Sequence, residues 1–146
     1  MVENTFEELI TEPEFKVGAT QEEQARLKAK MDFDYPPSYL EFLARHNGGG
    51  GWLGRGWFSL YSVADALDIN ALWMKDADYE EHFINYYWLI GSNGSLFTYA
   101  IEKETGHFVE LDVFDDEYAV YLGKSFQEFL NFLHKLSFER CDEDGD

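Results

Sequence analysis

The chain has 146 residues and a mass of 17.0 kDa, a length typical of one domain and short for two independent cores. Hydrophobic residues make up 45% and aromatic residues 18%, which provides a packed interior and excludes intrinsic disorder over most of the length. The 29 acidic residues against 11 Lys plus Arg give a formal charge of −18. A field of this sign repels a polyanion, so we expect no direct nucleic-acid binding.

Cysteine content and the N-terminal composition bear on location. The single cysteine, Cys141, can form neither an intramolecular disulfide nor a thiolate metal site alone, which favours a reducing compartment. Five glutamates occupy the first 14 residues, where a signal peptide needs a cationic start and an apolar run. No apolar stretch approaches ~18 residues. We therefore expect a cytoplasmic protein with no membrane association.

Capping signals predict the helices of the first half. A Ser or Thr followed three residues later by an acid satisfies free amides at a helix start, and this pattern predicts helices over residues 5–13 and 20–31. Pro36-Pro37 sets the first turn of a third helix over residues 38–46. The glycine-dense segment 48–56 then predicts a mobile or tightly folded loop.

The second half alternates between apolar runs and short turns. We predict a helix over residues 62–72, an acidic loop over residues 75–81, a final helix from residue 125, and strands over residues 57–60, 86–91, 96–102, 108–111 and 119–122. Strands in short-turn succession with helices at both ends indicate a single α+β domain, a mainly antiparallel sheet packed against flanking helices. We place this domain at residues 1–140 and expect a frayed acidic tail at 141–146.

Sequence patterns for catalysis are weak throughout. The four histidines are far apart and include no HExxH or i,i+4 pair, so a metal or Cys-His site would depend entirely on the fold. The glycine run matches GxGxxG, but a helix rather than a strand precedes it. We predict no enzyme activity, no catalytic residue, no cofactor and no metal. An enzyme acting on a cationic or glycan substrate would rest only on the abundance of carboxylates and aromatics.

Carboxylates are concentrated in two segments. Residues 65–81 carry six against Lys75 alone, and residues 102–117 carry seven against Lys103 alone. Aromatic residues are interleaved with them, and a surface that combines steering charge with aromatic anchors suits a basic protein partner. The simpler interpretation is that the acids are solvated, keep the chain dispersed and lie beside core aromatics. We favour that interpretation for any one residue and binding for the surface as a whole.

Five segments occur in an order typical of a known family. Residues 35–43, 47–49, 88–94, 105–106 and 124–130 read YPPSYLEFL, NGG, WLIGSNG, TG and KSFQEFL. Together they resemble the SUKH superfamily, which includes the Smi/Knr-type yeast cell-wall regulators and many bacterial immunity proteins. The resemblance covers roughly residues 20–136. Two departures are Ser95-Leu96, where the family often has a further glycine pair and an acid, and the elaborate tetraglycine with Trp52.

The resemblance implies an α+β domain that binds rather than catalyses. Its bacterial members look like cytosolic antidotes, each neutralising a cognate toxin that is often a nuclease, and a nuclease cleft is basic enough to attract an acidic protein. We therefore expect an immunity protein, favoured as a monomer, that binds a basic toxin domain through an acidic face. The alternative is an intracellular adaptor of the Smi/Knr type. The expected partner contacts are Asp76, Asp78, Tyr79, Glu80, Glu81, Asp115, Asp116, Glu117 and Tyr118.

Overall fold

The computed structural model describes residues 9–94 and 96–143 as one seven-stranded antiparallel sheet with four α-helices. The strands are β1 (Ile10–Val17), β2 (His46–Leu53), β3 (Gly56–Leu60), β4 (Tyr87–Ser92), β5 (Thr98–Glu102), β6 (Phe108–Asp112) and β7 (Asp115–Gly123). The helices are α1 (Gln21–Lys30), α2 (Pro37–Arg45), α3 (Val63–Met74) and α4 (Phe126–Glu143), with short 3₁₀ helices at Tyr79–Glu81 and Phe83–Tyr86. The strands lie side by side in chain order, which confirms the predicted α+β class.

The predicted helix starts are confirmed at their capping residues. The Thr20 hydroxyl accepts from the Glu23 N–H at 3.1 Å, and the Glu23 carboxylate accepts from the Thr20 N–H at 3.0 Å. Ser62 and Ser125 accept equivalent hydrogen bonds at the starts of α3 and α4, at 3.1 and 3.2 Å. These contacts are local in sequence, so the sequence pattern alone locates them.

The N-terminal segment differs from its prediction. The helix expected over residues 5–13 is wrong from Ile10 onward, because β1 begins there and pairs with β2; residues 1–8 lie outside the described part of the chain. The side chain of Phe15 stacks on His46 at 4.6 Å, so a long-range contact outweighs the local helix signal. Pro13 lies within a register shift of this edge strand, where a missing N–H is tolerated and further strand addition is disfavoured.

The glycine-rich segment is a strand rather than a loop. β2 lies between β1 and β3, with Gly49 opposite Phe15 on one side and Leu60 on the other. A Cβ at Gly49 would lie 2.1 Å from the Glu14 carbonyl oxygen, and its φ of +118° is one that other residues rarely adopt. Glycine is therefore required by the close approach of β1. Helix α2 ends at Arg45, one residue before its predicted end, and leads directly into β2 through the extended backbone of His46.

We expect Gly49→Ala to lower the free energy of unfolding by about 2 kcal/mol, because the backbone strain adds to a collision with β1. Gly94→Ala is the matched control: its φ is +78°, but an added Cβ would meet no described atom closer than Trp57 Cδ1, at 3.6 Å. Backbone strain alone should lower the free energy of unfolding of that variant by about 1 kcal/mol. Denaturant unfolding of both variants measures the difference. Equal losses of unfolding free energy in the two variants would show that the close approach of β1 does not require glycine at position 49.

Each face of the sheet is covered by its own hydrophobic core. On the first face, Phe129 of α4 stacks on Phe108 of β6 at 4.9 Å, and Phe126 of α4 stacks on Phe42 of α2 at 4.7 Å. On the second face, α3 and the 3₁₀ helices cover a smaller core around Leu89. The segment after α3 is thereby fixed against the second face.

Asn70 joins α3 to the sheet. Strand β3 pairs with β4 at only two positions, which leaves the backbone of Leu89 without a strand partner on that side. The Leu89 N–H donates to Asn70 Oδ1 at 2.9 Å, and Asn70 Nδ2 donates to the Leu89 carbonyl at 3.0 Å and to the Ala66 carbonyl at 2.8 Å. The buried amide thus substitutes for a neighbouring strand and holds α3 against β4.

Two boundaries in the second half also differ. The strand predicted over residues 119–122 begins at Asp115, so three acids expected in a loop lie on the edge strand β7. Charged side chains on an edge strand oppose pairing with another sheet. Helix α4 continues through Glu143, and residues 144–146 of the expected tail lie outside the described ranges.

Candidate partner-binding surface

The first acidic segment, residues 76–81, follows α3 and includes the first 3₁₀ helix. Asp76, Asp78, Glu80 and Glu81 are all exposed, and no cation within the described ranges forms an ion pair with any of them. The Asp78 N–H donates to Asp76 Oδ1 at 2.8 Å, which fixes the turn. The negative charge of this segment is therefore available to a partner.

Exposed apolar side chains flank this segment. Leu72 and Met74, at the end of α3, are 65% and 60% exposed, and Tyr86 on the other side is 63% exposed. Met74, Tyr79 and Asn85 line a shallow depression of about 780 Å³ together with the four carboxylates. Apolar groups surrounded by charge resemble the centre and rim of a protein interface.

The second acidic segment, residues 112–117, forms the hairpin between β6 and β7. Asp115, Asp116 and Glu117 are exposed, and Phe114 at the tip is 91% exposed. The Phe114 N–H donates to Asp112 Oδ1 at 2.9 Å and the Glu117 N–H to Asp115 Oδ1 at 3.1 Å. These hydrogen bonds hold the turn and leave the aromatic ring in solvent.

The two tyrosines predicted as anchors are half-buried and make contacts within the chain. The Tyr79 hydroxyl lies 3.3 Å from Lys103 Nζ, and its ring packs against the second core. The Tyr118 hydroxyl donates to Glu110 Oε1 at 2.9 Å, and its ring stacks on Phe97 at 5.1 Å. Burial, reinforced by the Glu110 carboxylate, raises the pKa of Tyr118 to about 12. The aromatic side chains that are exposed beside the acidic segments are instead Phe114 and Tyr86.

Phe114 is one of the aromatic residues interleaved with the acids in the sequence but is not among the expected contacts, and Tyr86 is in neither group. Their exposure depends on where the hairpin and the second 3₁₀ helix sit against the sheet, which a local pattern does not encode. One signal was present for Phe114: it lies two residues after Asp112, a position where an aspartate side chain accepts a hydrogen bond that forms a turn.

The two acidic segments lie at opposite ends of the sheet. Tyr79 contacts Lys103, which follows the end of β5, whereas the β6–β7 hairpin lies at the other end of the strands. β6 itself spans about 13 Å at ~3.3 Å per residue. Tyr79 and Val113 both pack against the second core, so the segments border one face. A partner that touched both would cross the α3 side of the sheet.

The model of the SMI1/KNR4 family (SUKH-1) matches residues 18–131, which include α1 to α3, β2 to β7 and the start of α4. The chain belongs to the SUKH family. A comparison with curated proteins returned no match. The match confirms the family resemblance noted in the sequence.

The segments that resemble the family form the core of this SUKH domain. Tyr39 and Phe42 of α2, Trp88 of β4, and Phe126 and Phe129 of α4 are all buried. The acidic segments fall between these stretches of sequence. The family motifs therefore lie in the core and specify the fold, whereas the acidic segments lie on the surface between them.

A buried ion pair joins α4 of the SUKH domain to its sheet. Glu110 of β6 has no exposed surface, and Arg140 donates from Nη1 to Glu110 Oε2 at 3.0 Å and from Nη2 to Oε1. These hydrogen bonds from the guanidinium raise the pKa of Arg140. With its oxygens taken by Arg140 and Tyr118, Glu110 is a structural group and not a free acid or base.

Metal-ligating clusters and membrane-spanning helices are both absent from the described part of the SUKH domain. Within residues 9–94 and 96–140, whose side chains the structure describes, no group of three or more His, Cys, Asp or Glu side chains is placed to hold a metal ion. In the same ranges, no helix combines the length and the apolar character that crossing a membrane requires.

Proposed function

We propose that this SUKH domain is a cytoplasmic immunity protein that binds and neutralises a cognate bacterial toxin domain and performs no catalysis itself. The observation that carries the proposal is the acidic segment at residues 76–81, four exposed carboxylates without ion-pair partners in the described ranges beside three exposed apolar side chains. A basic, nuclease-type toxin is the partner whose charge complements this surface.

Charge and apolar contact have separate roles in this mechanism. The carboxylates attract a basic substrate cleft and raise the rate of encounter, an effect that acts over about 10 Å at 0.1 M salt. Leu72, Met74 and Tyr86 then lose contact with water, which slows dissociation. Occupation of the cleft would block the toxin's substrate by both steric exclusion and charge.

The β6–β7 hairpin supplies a second contact in the proposal. Phe114 is the most exposed aromatic residue of the described chain, and three carboxylates follow it directly. Aromatic side chains that become buried at the centre of an interface account for much of its binding energy. The hairpin and the first acidic segment border the same face, so a partner that crosses α3 reaches both.

The test is co-expression with the protein encoded next to this chain in its native genome, once that neighbour is shown to be lethal alone. We expect restored growth and a one-to-one complex on a sizing column. Absence of both rescue and complex with a lethal neighbour would reject that pairing. Several weak partners without rescue would instead favour the regulatory adaptor.

A further inference from the structure

A small cleft of about 170 Å³ opens on the α4 side of the sheet, among the β2–β3 turn, the β4–β5 connection and α4. Its lining includes Arg55, Trp57, Tyr99, Ser137 and Arg140. Among the residues whose side chains the structure describes, no carboxylate lines it, although the chain carries a net charge of −18. The charge of the cleft lining therefore differs in sign from that of the two acidic segments.

The cleft holds Arg55 in place before any ligand arrives. The Arg55 N–H donates to Ser137 Oγ at 3.0 Å, and the guanidinium lies over the Phe138 ring at 5.7 Å. A Cβ at Gly54 would lie 2.5 Å from Ser137 Oγ, so glycine allows the turn to pack directly on α4. A turn fixed in this way limits the conformational entropy that binding would cost.

The two guanidinium groups of the cleft differ in availability. Arg140 is engaged by the carboxylate of Glu110 and by the Tyr118 hydroxyl. Arg55 makes no ion pair with any described residue. Arg55 therefore provides one positive charge for a ligand. Because the protein as a whole is strongly negative, a monoanion suits this single charge better than a dianion does.

Tyr99 also lines this cleft. Tyr99 is only 3% exposed, and its hydroxyl makes no hydrogen bond to any residue that the structure describes. Burial raises the pKa of Tyr99, and nearby Glu110 adds to that rise, so the hydroxyl stays protonated and can donate. An acceptor oxygen bound in the cleft could therefore accept a hydrogen bond from this hydroxyl.

We propose that this cleft binds a single carboxylate group, with Arg55 supplying the charge and Tyr99 a hydrogen bond. The volume is well below the ~300 Å³ at which pockets for larger ligands begin, so it suits a short carboxylic acid, one acidic side chain or a chain terminus. Phosphate dianions fit less well because the second guanidinium is already engaged. This site is independent of the proposed toxin binding.

An NMR titration of the full chain with sodium acetate, at constant ionic strength set with sodium chloride, tests the site. We expect saturable shifts of the Arg55 side-chain N–H and the Trp57 indole N–H at millimolar acetate. Arg55→Ala should weaken binding at least tenfold and Tyr99→Phe about fivefold. Lys135→Ala, which removes an exposed cation from α4, should leave the affinity unchanged. Phosphate should bind at least tenfold more weakly than acetate.

Two peptides identify the source of the carboxylate. Acetyl-Gly-Gly with a free C-terminus carries a chain terminus, and acetyl-Glu-amide carries a side-chain carboxylate. Tighter binding of either than of acetate assigns that source, and tighter binding of acetate assigns a small free acid. The proposal would be overturned if neither acetate nor either peptide gave saturable shifts, or if the shifts were equal in the parent chain and in Arg55→Ala. Phosphate binding as tight as that of acetate would also overturn it. None of these measurements requires a toxin, so their failure leaves the proposed function untouched.

Discussion

Arg140→Ala is expected to lower the free energy of unfolding by about 3 kcal/mol. The variant leaves the carboxylate of Glu110 fully buried with only the Tyr118 hydroxyl as a partner, and an uncompensated buried charge is strongly destabilising. We expect the lower end of the usual 3–5 kcal/mol range because the Arg140 side chain is 35% exposed and solvent screens part of the interaction. Urea unfolding followed by tryptophan fluorescence measures the change.

Two further variants separate charge from packing in that experiment. Lys135→Ala removes an exposed partner of Glu139 on the same helix and should change stability by less than about 0.5 kcal/mol. The double variant Glu110→Leu/Arg140→Leu removes both charges and should recover most of the loss. A double variant no more stable than Arg140→Ala would contradict the assignment of the loss to an uncompensated charge.

Neutralising the first acidic segment is expected to slow association with the toxin at least about tenfold at low salt. The variant carries Asp76→Asn, Asp78→Asn, Glu80→Gln and Glu81→Gln, and these side chains are exposed, so we expect its fold to be unchanged. Stopped-flow mixing at several salt concentrations measures the rate. The difference from the parent should shrink toward 1 M salt, where the screening length is about 3 Å.

A charge-matched variant is the control for that measurement. Glu14→Gln, Glu22→Gln, Asp34→Asn and Glu41→Gln remove the same four charges from exposed positions outside the proposed surface. We expect it to slow association by less than about threefold, since only the overall field changes. Equal slowing by both variants would show that net charge, and not this segment, steers the partner.

The sequence predicts the elements whose signals are local. The capping pairs at residues 20, 62 and 125 locate three helix starts, because each hydrogen bond joins residues three apart. β1 and β2 were predicted incorrectly because their conformation depends on pairing between Phe15 and Gly49, which are far apart in sequence. A glycine run has no side-chain periodicity, so only its neighbours show that it is a strand.

The candidate surface shows the same division between local and long-range information. Charge density along the sequence indicates the exposed acids at residues 76–81, since unpaired carboxylates are rarely buried. The same reasoning selects Tyr79 and Tyr118, whose burial follows from contacts with Lys103 and Glu110 across the sheet. Glu110 is one of the seven acids that the sequence shows over residues 102–117, yet in the fold it is the buried partner of Arg140.

Amide hydrogen exchange of the chain, alone and bound to the toxin domain proposed as its partner, tests the central claim most directly. The account predicts that toxin binding slows exchange chiefly at residues 72–86, with a second protected region at the β6–β7 hairpin, residues 112–117. Protection confined to other surfaces, with unchanged exchange in both segments of the bound chain, would contradict binding through the acidic surface.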